Sequence, residues 1–159
     1  MIERPGISVI IPTLNRPELL IRCVESINNQ TFEGEINCIV VDSSDNDKTE
    51  VAVKNFDITN KNFSLEYLKN ENSVFPVDNW SYAINSLTTE YAKFTCDDDW
   101  LESSFFSDCM KIFEKNHVDC VVSNISLHKE FTKGKEVIKG YYKYEEGVAS
   151  ETQVVNSFI

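Results

Sequence analysis

Apolar and polar positions change period several times along the chain, and each change marks an element. The run "ISVIIP" (Ile7–Pro12) is continuously apolar and rich in β-branched residues, the pattern of a strand buried on both faces. After polar "TLNR", Pro17 opens a segment in which Leu19, Leu20, Cys23, Val24 and Ile27 share one helical face, with proline suited to the first turn. "INCIVVD" (Ile36–Asp42) predicts a second buried strand, and "SSDNDKTEVAVKNF" a turn and a short helix capped by Ser44 or Asp47. "SLEYLKN" (Ser64–Asn70) alternates as a third strand. "VDNWSYAINSLTT" predicts a helix with Trp80, Ala83, Ile84 and Leu87 on one side, and "EYAKFTC" a fourth strand. "SSFFSDCMKIFEKN" predicts an amphipathic helix that turns Phe105, Phe106, Cys109, Ile112 and Phe113 inward, and "VDCVVSN" (Val118–Asn124) a fifth strand. Beyond Asn124 the regularity fades: "KEVIKGYYKYEEG" reads as an antiparallel edge strand and "SETQVVNSFI" as a final helix capped by Ser150. Up to Asn124 strand and helix alternate, which predicts an α/β fold with a mostly parallel sheet.

A chain of 159 residues is long enough to bury a core, and 42% apolar with 26% charged residues fits one globular domain. The net charge of −11, from 26 acids against 15 bases, argues against broad binding to nucleic acid or to an anionic membrane. A cation is the more natural partner for so acidic a chain. Five scattered cysteines, with no C-x-x-C pair and four of them inside apolar runs, predict buried free thiols and a reducing compartment. No secretory pattern precedes "ISVIIPT", and no stretch reaches the roughly 20 apolar residues of a membrane helix. A cytoplasmic location is expected, with peripheral membrane attachment left open.

Ligands of open α/β sheets gather beyond the carboxyl ends of the strands. Three polar features fall at such ends: "PTLNR" (Pro12–Arg16), Asp42, and the triplet Asp97–Asp98–Asp99. Adjacent carboxylates repel one another, and Mg²⁺ or Mn²⁺, which takes one or two carboxylates together with substrate phosphates, offsets that repulsion. A bare triplet is more often a solvated turn with one aspartate capping the helix near Ser103; its place beside two other polar strand ends reverses that preference. Trp100 reads as a packing aromatic under either view.

"SVIIPTLNRPELLIRCVESINNQTF", "CIVVDSSDND" and "EYAKFTCDDDWLESSF", in that order, resemble the amino-terminal half of family 2 glycosyltransferases, from about Ile7 to about Asn124. The resemblance implies a Rossmann-like GT-A three-layer sandwich, incomplete at its carboxyl end. Residues 1–124 would form the nucleotide-sugar (donor) region and 125–159 the start of an acceptor side that is cut short, within one structural domain. It further implies that Pro12, Thr13, Asn15 and Arg16 cradle a nucleotide and that Asp42 hydrogen-bonds its base, often uracil. The family's DXD motif binds ribose and the metal-diphosphate. Here Cys96 takes the place of its first aspartate, so Asp97 falls to the ribose and Asp98 to the metal, with Asp99 as an alternative ligand. Asn79, Trp80, Lys69 and Asn70 are weaker candidates for the pocket, and Ser81 stands where relatives commonly carry asparagine. The chemistry implied is inverting transfer of a sugar from a nucleoside-diphosphate sugar, UDP-sugars favoured, to a hydroxyl of a saccharide or lipid-linked saccharide, as in polysaccharide or glycoconjugate biosynthesis. The catalytic base is not identifiable, since Glu130, Glu136, Glu145, Glu146 and Glu151 lie in no recognisable motif.

His117 and His128 are isolated, and His117 near a helix carboxyl end suits a structural role. The tyrosines of "YYKY" (Tyr141–Tyr144) suit sugar stacking or an alternating edge strand equally. Asn62, Asn79 and Asn124 match the glycosylation pattern, which means little without a secretory signal. Two rivals stand beside the transferase: a non-catalytic nucleotide-sugar-binding module, and a sugar-nucleotide-forming enzyme. The second would carry a glycine-rich basic loop after the first strand, and "PTLNRPE" has no glycine.

Overall fold

The computed structural model describes residues 5–72, 74–116 and 118–123, together with two strands at 126–129 and 136–139. The chain divides into two compact units, Met1–Asp108 and Cys109–Ile159.

The first unit is built on a parallel sheet. Strands β1 (Ile7–Thr13), β2 (Ile36–Asp42), β3 (Phe63–Lys69) and β4 (Tyr91–Phe94) lie in the order β3-β2-β1-β4. Every residue of β1 is buried, as is nearly all of β2, because these central strands are covered on both faces. Between the strands run α1 (Pro17–Asn28), α2 (Lys48–Lys54) and α3 (Pro76–Ala83). Ile10, Ile39, Val41 and Ala83 form a buried cluster against which Leu68, Trp80 and Leu87 pack, so α3 covers one face. Cys38 alternates with Ile39 onto the other face, where burial first and then Cys23 of α1 disfavour its ionisation. Helix, sheet and helix thus make three layers.

Pairing in register brings the strand ends level: Thr13 stands opposite Asp42, and Asp42 opposite Lys69. The ladder continues past β4, where the Thr95 amide donates to the Ile10 carbonyl at 3.1 Å, and so delivers the aspartates to the same rim.

Several elements differ from the pattern in the sequence. The cap of α2 comes from neither Ser44 nor the Asp47 side chain; Asn46 Oδ1 accepts the Lys48 amide at 3.1 Å, while Ser44 turns inward. After Ala83 the chain tightens into a 3₁₀ turn, Ile84–Ser86, which leaves Ile84 exposed. Helix α4 (Phe105–Lys115), within which the two units divide, buries Phe106 and Met110 and leaves Ile112 exposed. Ile112 lies about 200° round the axis from Met110, off the buried stripe.

In the second unit no strand forms over 118–123, and Val122 and Cys120 are exposed. A β-branched run becomes a strand only where it finds a surface to cover. Strands β5 (Ser126–Lys129) and β6 (Glu136–Lys139) pair antiparallel in a separate two-stranded sheet, so β6 falls at the start of the expected edge strand but does not edge the parallel sheet. The predicted terminal helix and Tyr141–Tyr144 lie outside the described residues. Among the described residues, no helix is long and apolar enough to cross a membrane.

Candidate functional site

The rim at the carboxyl ends of β1, β2, β3 and β4 collects the polar residues of the first unit. Thr13 is its keystone by position. Its Oγ1 donates to Asp97 Oδ2 at 2.7 Å, joining β1 to the aspartate loop, and its carbonyl accepts the Ser43 amide at 3.1 Å from the β2 side. Pro12, just before it, is buried.

Past Thr13 the chain must turn sharply, and Asn15 does so with a φ of 55°. Asparagine tolerates that left-handed region better than most residues. The turn aims the Asn15 amide at Ser44 Oγ, 2.8 Å away, and sets its side-chain oxygen 2.9 Å from Asn46 Nδ2. Arg16 follows and reaches across the rim: Nη2 lies 2.6 Å from Asp97 Oδ1 and Nη1 3.4 Å from Asp98 Oδ2.

Asp42 is wholly buried and both its oxygens are engaged. Oδ1 accepts the Ser44 amide at 2.8 Å and the Ser44 hydroxyl in a very short contact; Oδ2 accepts Tyr67 Oη at 2.8 Å and pairs with Lys69 Nζ at 3.4 Å. Lys69 also donates to the Ser44 carbonyl. Burial, then the hydrogen bond to Asp42, pushes the Tyr67 phenol well above its ordinary value, so it stays a donor. Behind this group lies a second buried cluster. Asn79 Oδ1 accepts Ser43 Oγ at 3.0 Å and Asn70 Nδ2 at 2.7 Å, which ties α3 to the ends of β2 and β3. Asn79 is therefore part of the scaffold, as is Trp80, which meets Phe94 edge-on at 5.8 Å. Ser81 is exposed and donates to the Val77 carbonyl.

The three aspartates have three different environments. Asp97 is wholly buried; burial raises its pKa, while Thr13 and Arg16 act in the opposite sense. Asp98 is half exposed. Asp99 is exposed, yet partial desolvation and the neighbouring Asp98 raise its pKa. One ligand atom each from Cys96, Asp98 and Asp99 lie within 4.8 Å of one another. The two exposed carboxylates, Asp98 and Asp99, are hard oxygen donors of the kind Mg²⁺ or Mn²⁺ takes. Burial first, then the three aspartates, keep the Cys96 thiol protonated.

Arg22 escaped the sequence reading. Projecting from α1, its Nη2 donates to the Asp98 carbonyl at 3.0 Å and its guanidinium lies 4.6 Å over the Trp100 ring. It thereby clamps the aspartate loop from the helix side and gives Trp100, more than a third exposed, its packing partner. The one signal was an arginine alone among the basic residues of a helix that begins at the rim. His117, Glu130, Glu145, Glu146 and Glu151 lie outside the described residues, and Glu136 and His128 fall on the β5–β6 hairpin.

The three-layer arrangement on a parallel sheet, with acids gathered at its strand ends, matches the GT-A fold of solved structures. Staphylococcus aureus TarS 1-349 in complex with UDP superposes with a TM-score of 0.62 at 22% identity, covering 79% of this chain and 40% of that one, a likeness of fold. A mannosyltransferase from Pyrobaculum calidifontis in complex with GDP-Man and Mn²⁺ gives 0.54 at 25% identity, over 61% of this chain and 28% of that one. The family model of glycosyl transferase family 2 matches residues 8–156, and the chain belongs to that family. Campylobacter jejuni GalNAc(5)-diNAcBac-PP-undecaprenol beta-1,3-glucosyltransferase is 32% identical over 133 residues, 83% of this chain and 42% of the relative. Streptococcus pneumoniae glycosyltransferase GlyA is 26% identical over 124 residues, 78% of this chain and 17% of the relative. The chain thus spans under half the length of both.

Proposed function

We propose that the chain forms the donor-binding part of a metal-dependent, inverting glycosyltransferase. It takes a sugar from a nucleoside-diphosphate sugar, UDP-sugars first, for transfer to a saccharide or lipid-linked saccharide in polysaccharide or glycoconjugate assembly. The observation that carries this reading is the 2.7 Å bond from Thr13 to Asp97, which fastens the aspartate loop beside the "PTLNR" turn, in register with Asp42. Family membership supports the activity, and the relatives' complexes with UDP and with Mn²⁺ support the donor class and the metal. The Campylobacter relative, a GalNAc(5)-diNAcBac-PP-undecaprenol glucosyltransferase by name, supports the lipid-linked acceptor. A cytoplasmic setting is carried over from the sequence, although of the five thiols expected to be buried only Cys23 and Cys38 are; Cys109 is half-buried and Cys96 and Cys120 are exposed.

On this reading Pro12, Thr13, Asn15 and Arg16 form the wall against which the nucleotide lies. Asp42 is the floor of the base side. Because its oxygens are taken, a base N–H reaches it only in exchange for a resident donor, and Lys69, with its side chain 34% exposed, has solvent to move into. Asp97, wholly buried between Thr13 and Arg16, meets the ribose only where Arg16 gives way, and Asp98, with Asp99 beside it, would hold Mn²⁺ or Mg²⁺. When bound, the ion supplies positive charge to the departing diphosphate. Arg22 holds the Asp98 backbone still, which fixes where that carboxylate points. The acceptor proton goes to a base outside the residues assigned here.

Calorimetry with UDP and Mn²⁺ tests the donor site: heat is expected with both together and little with UDP alone. No metal-dependent heat with UDP, GDP or dTDP would sink the reading. Transfer assays over a nucleotide-sugar panel then separate an enzyme from a binding module.

A further inference from the structure

Arg16 holds two aspartates on unequal terms. Its contact with Asp97 is short, and Asp97 is wholly buried with Thr13 as a second, permanent donor. The contact with Asp98 is long, at 3.4 Å, between side chains that are 46% and 51% exposed. The guanidinium therefore stands at the front of the very carboxylate assigned above to the metal. A divalent ion arriving alone must approach a site that already holds a cation, and like charges at this range repel.

A diphosphate changes that balance. Guanidinium groups bind phosphate oxygens through two parallel hydrogen bonds, and Arg16, nearly half exposed, is free to reorient toward one. Asp97 keeps Thr13 when Arg16 turns, whereas Asp98 becomes available to a metal. We propose that Arg16 is a resident counter-ion that withholds Asp98 from a free divalent ion until a nucleoside diphosphate draws the guanidinium away. Metal binding is thereby conditional on nucleotide, and by linkage nucleotide binding on metal. The inference rests on the donor-site reading above. If Arg16 were only a fixed strut that orders the loop, its removal would weaken metal binding.

The test is titration of Mn²⁺, followed by the electron paramagnetic resonance of the free ion, on the whole chain and on Arg16→Gln and Arg16→Lys variants. Without nucleotide, Arg16→Gln should bind Mn²⁺ about two- to fivefold more tightly than the parent, and Arg16→Lys, which keeps the charge, should stay close to it. Adding UDP should tighten Mn²⁺ binding strongly in the parent and far less in Arg16→Gln. Introducing Asp98→Asn into the Arg16→Gln chain should abolish the gain, which a general charge effect would not predict. Melting curves for each variant confirm that the fold persists. If UDP brings Mn²⁺ onto the parent but Arg16→Gln binds the ion alone no better than the parent, the counter-ion role is wrong and the donor site stands. If neither chain binds Mn²⁺ with UDP present, the donor site and this inference fall together.

Discussion

Asp97 is where the demands of the rim meet. Burial opposes its charge, and Thr13 and Arg16 act against that, Thr13 as the buried anchor of the loop and Arg16 from the exposed rim. Thr13→Val leaves a buried carboxylate short of a donor, and urea denaturation should register a loss of about 1–3 kcal/mol. Unchanged stability would show that Asp97 does not depend on Thr13. Asp98 is half exposed and contributes little to folding. Asp98→Ala should melt within about 2 °C of the parent yet lose metal-dependent UDP binding, a change confined to surface and ligand. Retained affinity would remove Asp98 from the proposed metal site. These acids were legible in the sequence because apolar strands run straight into them. The donors around Asp42 were not. Tyr67 and Lys69 reach it only because β3 pairs with β2 in one particular register, a fact of tertiary structure that spacing along the chain does not carry.

At the scale of elements, α1 does two tasks. Its apolar face covers the sheet with Leu20, Cys23, Val24 and Ile27, and its polar face sends Arg22 to the aspartate loop. Burial, reinforced by Asp97, raises the Cys23 thiol from 9.0 to about 12, and burial raises Cys38 as well. The unfolded chain releases those protons above pH 9.0 while the folded chain keeps them. The unfolded state then binds fewer protons, so stability should fall as pH rises from 9.0 towards 12, by up to about 1.4 kcal/mol per pH unit for each thiol. Denaturation midpoints that stay flat across that range would contradict this account of the core. Helix α4 packs through Phe106, 1% exposed and edge-on to Phe32 at 6.4 Å; Phe106→Ala should cost about 3–5 kcal/mol, read by chemical denaturation. Strands β1 and β2 were plain in the sequence because burial on both faces leaves an unbroken apolar run. The run at 118–123 carried the same signature without becoming a strand, since propensity does not supply a neighbour to pair with. The stripe of α4 was misplaced at Ile112 because several apolar residues compete for one face, and only packing chooses among them.

For the whole molecule, charge sets the terms. A chain of net charge −11 repels a free nucleoside diphosphate, and the proposed donor site works only if local cations overcome that field. Arg16 and Lys69 supply part of this charge at the rim, and the proposed divalent ion supplies the rest. The central claim is that the ion and nucleotide meet beyond the carboxyl ends of β1, β2 and β4. Amide spectra of the isotope-labelled chain, recorded with UDP and a trace of Mn²⁺, test it most directly, because the paramagnetic ion broadens signals close to it. The account predicts losses concentrated at Thr13–Arg16 and Cys96–Asp99, absent with Mg²⁺ and removed by Asp98→Ala. Broadening scattered over other acidic surfaces, with the rim untouched, would contradict it.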